Sequence, residues 1–66
     1  MMLSPIKVLL VEDSPVATIV LKRILDASPE IQVVGTACNG LEALELIPKL
    51  QPEVICTDLN MAQMNG

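Results

Sequence analysis

The chain has no phenylalanine, tyrosine, tryptophan or histidine, and only three of its 66 residues are glycine. Without aromatics, the 52% hydrophobic content is aliphatic and sulfur-containing, and the mean hydropathy of +0.56 is high for a small free-standing domain. The lack of histidine, with no suitably spaced cysteine pair, excludes the common zinc donor sets. No glycine-rich loop follows a strand, and Glu12-Asp13-Ser14-Pro15 would repel a pyrophosphate, which argues against a small nucleotide-binding α/β unit. No apolar run approaches the ~20 residues of a membrane helix. The first residues, with one lysine and an apolar run broken by Glu12, make a poor signal peptide. Four bases against eight acids, a net charge of −4, disfavour nucleic acid and acidic membrane surfaces as partners. A cytoplasmic protein is expected.

At this length the chain is one domain at most, and small chains bury a smaller share of their surface than large ones. So aliphatic a composition in so short a chain implies apolar surface meant to be covered by something else. Cys38 and Cys56 are expected to be reduced, because the layout below puts a strand between them.

That layout follows from periodicity. Ile6 to Val11 is a continuous β-branched and leucine run, the pattern of a strand buried on both faces of a parallel sheet. Ser14 then reads as a helix N-cap, with Pro15 at the first helical position, where its missing N–H costs nothing. Ala17, Val20, Leu21 and Ile24 recur at helical spacing as the expected buried face, with Thr18, Lys22 and Asp26 opposite and Ile19 and Leu25 off it. Ser28-Pro29 stops this helix. A second strand is expected over Ile31 to Ala37. Asn39 and Glu42 then fit a capping box, and Leu41, Leu44 and Ile47 are expected to line one face of the helix it opens. Pro48 should end that helix early or kink it. A third strand, Glu53 to Thr57, ends on Asp58.

The chain thus reads βαβαβ, an α/β unit. Crossovers between parallel strands are right-handed, so placing the first strand centrally puts one helix on each face and gives the order 2-1-3. The alternative order 1-2-3 would leave one face bare, which strands this apolar disfavour. In the 2-1-3 order the carboxyl ends of the first and third strands adjoin, where such sheets place their ligand sites. Glu12, Asp13 and Asp58 converge there. Two readings of this cluster stand side by side: polar strand ends with solvated acids, or a pocket whose like charges are neutralised by a hard divalent cation, Mg²⁺, through oxygen ligands. A carboxylate held against such a cation can also act as a nucleophile toward a phosphoryl group.

The same order leaves residues 53–57 as a bare sheet edge with no charge along Val54 to Thr57. A homodimer, or a domain-swapped oligomer, through this edge is therefore expected. A non-signalling assembly module that self-associates there is the alternative to a phosphoacceptor.

The segments "VLLVEDSP", "NGLEALELI", "QPEVICTDLNM" and the closing "MNG" together resemble the receiver domain of bacterial two-component response regulators, including its D-x-x-M-P-x-M-[DN]-G signature. Within that family, "SPEIQVVGTACNG" is most similar to the receiver preceding the catalytic domain of chemotaxis protein-glutamate methylesterases. The resemblance implies a flavodoxin-like receiver fold, truncated here to its first half. It implies Asp58 as phosphoacceptor, Asp13 as Mg²⁺ ligand, Glu12 acting mainly through water, Asn60 offering its backbone carbonyl to the metal, and a sensor histidine kinase as partner of the intact parent. Met61 matches the family's methionine and reads as packing. Ala62 departs from the family's usual proline, and Pro48 falls in what the family makes continuous helix. The fourth and fifth strands, the phosphate-sensing hydroxyl, a phosphate-contacting lysine and the switch aromatic have no counterpart in this sequence, nor does a catalytic domain, so no enzyme activity is expected of this chain.

Overall fold

The computed structural model describes residues 4–57. Asp58, Asn60, Met61 and Ala62 lie outside the described residues. The elements are β1 (Ile6–Val11), α1 (Pro15–Asp26), β2 (Ile31–Ala37), α2 (Gly40–Leu50) and β3 (Val54–Thr57). The three strands form one parallel sheet in the order β2-β1-β3, as right-handed crossovers around a central β1 require.

Central placement decides burial. Val8, Leu9, Leu10 and Val11 of β1 are all buried, whereas Ile6 and Lys7 at its start remain exposed. Paired strand residues share a face, so Leu9 and Val11 pack with Ala37 and Ala43 in one core cluster, joined by Leu46, Ile47 and Leu50 of α2. Val8 and Leu10 point to the other face, under α1.

The β1–β2 register contains one irregularity. Val8 pairs with Val33 but Leu9 pairs with Gly35, so Val34 is an extra residue in β2. This bulge shifts the alternation of β2 by one and brings Gly35 and Ala37 onto the α2 face. A Cβ at Gly35 would meet Leu50 Cδ1 at 2.5 Å. Glycine there lets α2 lie close on the sheet.

Both helices start where the capping residues predict. The Ser14 side chain accepts a hydrogen bond from the Ala17 N–H (3.3 Å), and the Asn39 side chain accepts one from Glu42 N–H (2.8 Å). Glu42 reaches back one residue beyond the cap, accepting from the Cys38 N–H (2.9 Å).

Four expectations need correction. In α1, Ala17 and Leu21 are half-buried as expected, but so are Thr18 and Leu25, while Val20 (50% exposed) and Ile24 (61%) face out. In α2 the packed residues are Ala43, Leu46, Ile47 and Leu50, and Leu41 (78%) and Leu44 (66%) are exposed. Each apolar arc is wider than the sheet beneath it can cover, so its centre is a poor guide to its buried part. Pro48 does not end α2 early: the helix continues to Leu50 and closes on Gln51, whose left-handed backbone (φ 51°) directs its N–H to the Ile47 carbonyl at 2.8 Å. So near the C-terminus, proline removes one donor and only the last residues follow it.

The third strand starts one residue later than expected, at Val54. Glu53 instead anchors the strand's start. Its N–H donates to the Lys7 carbonyl (2.8 Å) and its Oε1 accepts from the Lys7 N–H (3.1 Å). Cys38 is an exposed free thiol and Cys56 a half-buried one. No helix among the described residues is long and apolar enough to cross a membrane.

Candidate functional site

The site is built at the carboxyl end of the sheet. Val11 pairs with Ala37 on one side and with Thr57 on the other, so all three strands finish level. Glu12 extends the ladder by one bond, its N–H donating to the Ala37 carbonyl at 2.9 Å. The chain then turns into α1 through Asp13 and Ser14.

The two adjacent carboxylates are held differently. Glu12 is buried (3% exposed), and its Oε2 accepts from the Ser14 N–H at 3.0 Å. That bond fixes the carboxylate against the turn that starts α1. Asp13 is exposed, and its side chain faces a cleft lined also by Glu12, Pro15, Thr18, Thr36 and Cys38. The turn is tied to the first turn of α1: the Ser14 carbonyl accepts from both the Thr18 N–H (2.9 Å) and the Thr18 hydroxyl (2.9 Å). Asp13 thus stands between a pinned strand end and a capped helix.

Of the four residues expected at a metal, the structure brings together Glu12 and Asp13. Asp58 and Asn60 lie outside the described residues. Among the described residues, no group of three or more acids, cysteines or histidines is placed to hold a metal ion. The donors present fit a hard cation all the same, because they are carboxylate oxygens and one is already oriented by a backbone N–H. Thr36 and Cys38 were not anticipated beside the acids. The signal that could have found them is the level end of β1 and β2, which brings the last residues of β2 against Glu12.

The family profile described as the response regulator receiver domain matches residues 8–66, nearly the whole chain. The chain belongs to the response regulator receiver domain family. Among curated relatives of this receiver, a protein-glutamate methylesterase/protein-glutamine glutaminase of Methanococcus maripaludis is 52% identical over 64 residues, covering 97% of this chain and 18% of the relative. The corresponding protein 2 of Methanospirillum hungatei JF-1 is 49% identical over 61 residues, covering 92% of this chain and 17% of the relative. The receiver chain thus spans about a sixth of the length of such relatives. Among solved structures, the response regulator domain of Thermotoga maritima CheB superposes with a TM-score of 0.74 at 49% identity, over 77% of this chain and 38% of that one.

Proposed function

We propose that this chain is the part of a phosphorelay receiver that carries the acceptor and its acidic pocket, with Asp58 taking a phosphoryl group from a sensor histidine kinase. The observation that carries the reading is the parallel pairing of β1 with β3, which sets Thr57 against Val11. Glu12 and Asp13 follow one of these residues in sequence, and Asp58 follows the other.

In this reading, Asp13 and Asp58 hold Mg²⁺ directly, Asn60 lends its backbone carbonyl, and Glu12 acts through water. Bound Mg²⁺ supplies positive charge that offsets the carboxylates and the phosphoryl oxygens. The Asp58 carboxylate attacks the phosphorus of the phosphorylated donor. A new O–P bond forms as the bond from phosphorus to the donor breaks, and the donor leaves with that electron pair. Among the described residues, no lysine or arginine lines the cleft. Charge on the transferred group is normally met by fixed cations as well as metal, so phosphotransfer by this chain alone is expected to be poor. The location expected for such a protein is the cytoplasm. The methylesterase activity named for the relatives is not assigned to this chain.

Titration with Mg²⁺, followed by amide NMR, tests the site. Shifts centred on Asp13 and its neighbours that disappear in Asp13→Asn and in Asp58→Ala support it. Binding that survives Asp58→Ala unchanged refutes the pocket. Stable, stoichiometric labelling of Asp58 by acetyl phosphate would contradict the expected impairment.

A further inference from the structure

The two helices begin on matching caps, and one of the caps carries an extra bond. At α2, the Asn39 side chain accepts from the Glu42 N–H (2.8 Å) and the Asn39 carbonyl from the Ala43 N–H (3.0 Å). At α1, the Ser14 side chain accepts from the Ala17 N–H (3.3 Å) and the Ser14 carbonyl from the Thr18 N–H (2.9 Å). Bond for bond the two starts agree, so alanine four residues after the cap is enough to open a helix in this fold. In α1 that position is Thr18, whose hydroxyl donates a second bond to the Ser14 carbonyl (2.9 Å). Helix stability gives no reason for it. A threonine hydroxyl bonded to the carbonyl four residues back slightly destabilises a helix and often bends it, and threonine is a poorer helix former than alanine.

What sets α1 apart is the turn that precedes it, which carries both acids. The Ser14 N–H donates to Glu12 Oε2 (3.0 Å) and so orients the peptide plane that joins Asp13 to Ser14. The Ser14 carbonyl, held by both donors of Thr18, orients the plane that joins Ser14 to Pro15. With both planes held, Ser14 keeps an extended backbone (φ −96°, ψ 121°), and the proline ring fixes the φ that follows. Asp13, exposed at the cleft, is attached to the first of these planes. Rotation at Ser14 would therefore take its N–H away from Glu12 and reorient Asp13 in the same movement. Thr18 is half-buried and lines the same cleft as the two acids. Its single hydroxyl proton is committed to Ser14, so its influence on the acids runs through the turn.

We propose that Thr18 is a positioning residue for the acidic pocket: its hydroxyl holds the Ser14 carbonyl, and through Ser14 it keeps the Glu12 carboxylate and the Asp13 backbone in the arrangement that receives a divalent cation. The inference deepens the receiver reading and rests on it for the identity of the cation. Holding the turn matters because Mg²⁺ demands near-ideal octahedral geometry. A turn that wanders must be ordered as the ion arrives, and the entropy lost in that step is subtracted from affinity.

The test compares the parent chain with Thr18→Val and Thr18→Ser by Mg²⁺ titration and amide hydrogen exchange, both followed by NMR, and by urea unfolding. Valine keeps the β-branched shape and a similar helix propensity, removes the hydroxyl, and leaves the Ser14 carbonyl its backbone bond. The expected result is Mg²⁺ binding weakened about three- to tenfold in Thr18→Val, at or below the low end of the ~10–100-fold lost with a partner bonded directly to a metal ligand. Thr18→Ser, which keeps the hydroxyl, should restore the affinity. In the metal-free chain, exchange at the Ser14 N–H should quicken in Thr18→Val while the Glu42 N–H at the α2 cap exchanges as before, and the urea midpoint should not move. Equal Mg²⁺ affinity in the parent and Thr18→Val, a loss that Thr18→Ser fails to restore, or a loss that tracks a lowered urea midpoint would overturn the proposal and leave the receiver reading standing. A parent chain that binds no Mg²⁺ would overturn both.

Discussion

Gly35→Ala isolates the contact that sets how closely α2 lies on the sheet. The added Cβ would stand 2.5 Å from Leu50 Cδ1 and 3.6 Å from Leu9 Cδ1. Carbon atoms settle at about 3.5–4.0 Å, so Leu50 must retreat by about 1 Å while Leu9 need not move. Leu50 is half-buried and belongs to the last turn of α2, so it can yield by shifting its end or by lifting the helix terminus. Overpacking of this kind costs about 1–3 kcal/mol. Alanine also lowers the entropy of the unfolded chain, which returns about 0.4–1 kcal/mol where the backbone suits it, and Gly35 has no positive φ. The net expectation is a loss of about 0.5–2 kcal/mol. Against the ~3–10 kcal/mol usual for a chain of this size, such a loss lowers the melting temperature by several degrees. Urea unfolding followed by far-UV circular dichroism measures it. The decisive comparison is with Leu50→Ala and the double variant: removing Leu50 removes the clash, so the double variant should be more stable than the sum of the single effects by about 1 kcal/mol. Strict additivity, or a Gly35→Ala chain as stable as the parent, would refute the close approach.

Leu9 is fully buried in the central strand, so Leu9→Ala should cost about 2–5 kcal/mol and leave the chain largely unfolded at 37 °C by circular dichroism. Asn39→Ala should cost about 1 kcal/mol and speed amide hydrogen exchange at Glu42 more than at Thr18, because only α2 loses its cap. Lys22→Ala should shift the urea midpoint hardly at all, since both partners of its ion pair are about half exposed and such pairs contribute about 0–1 kcal/mol.

The bounds of β1 and β2 were legible in sequence because β1 is a continuous apolar run followed by the Ser14 cap, and β2 lies between Ser28-Pro29 and the Asn39 cap. The order 2-1-3 followed from handedness and from the need to cover both faces of β1. The buried faces of the helices were not legible. A helical pattern shows which residues are apolar, but not how many neighbours share the arc, and Val20, Ile24, Leu41 and Leu44 belong to the part that the described sheet does not reach. Pro48 misled for a different reason: breaking strength depends on how much helix follows, and here only Lys49 and Leu50 do. At the site, the adjacency of Glu12 and Asp13 could be read directly, but the difference between them could not. One is pinned beneath the turn by Ser14 and the other stands open, a distinction set by the N-cap geometry.

The extra residue at Val34 has a further consequence, best stated in the language of polymerisation. A sheet grows into a fibre only if both of its outer strands accept partners, just as a linear polymer needs a bifunctional monomer. Here the two outer strands differ: β3 is short, regular and uncharged, while β2 is interrupted by a bulge next to a glycine, a device that spoils edge pairing. Among the described residues, the sheet thus has one regular edge and one interrupted edge. Whatever adds to β3 caps the sheet and leaves no second reactive end, so strand addition should yield closed complexes of defined size in place of open filaments.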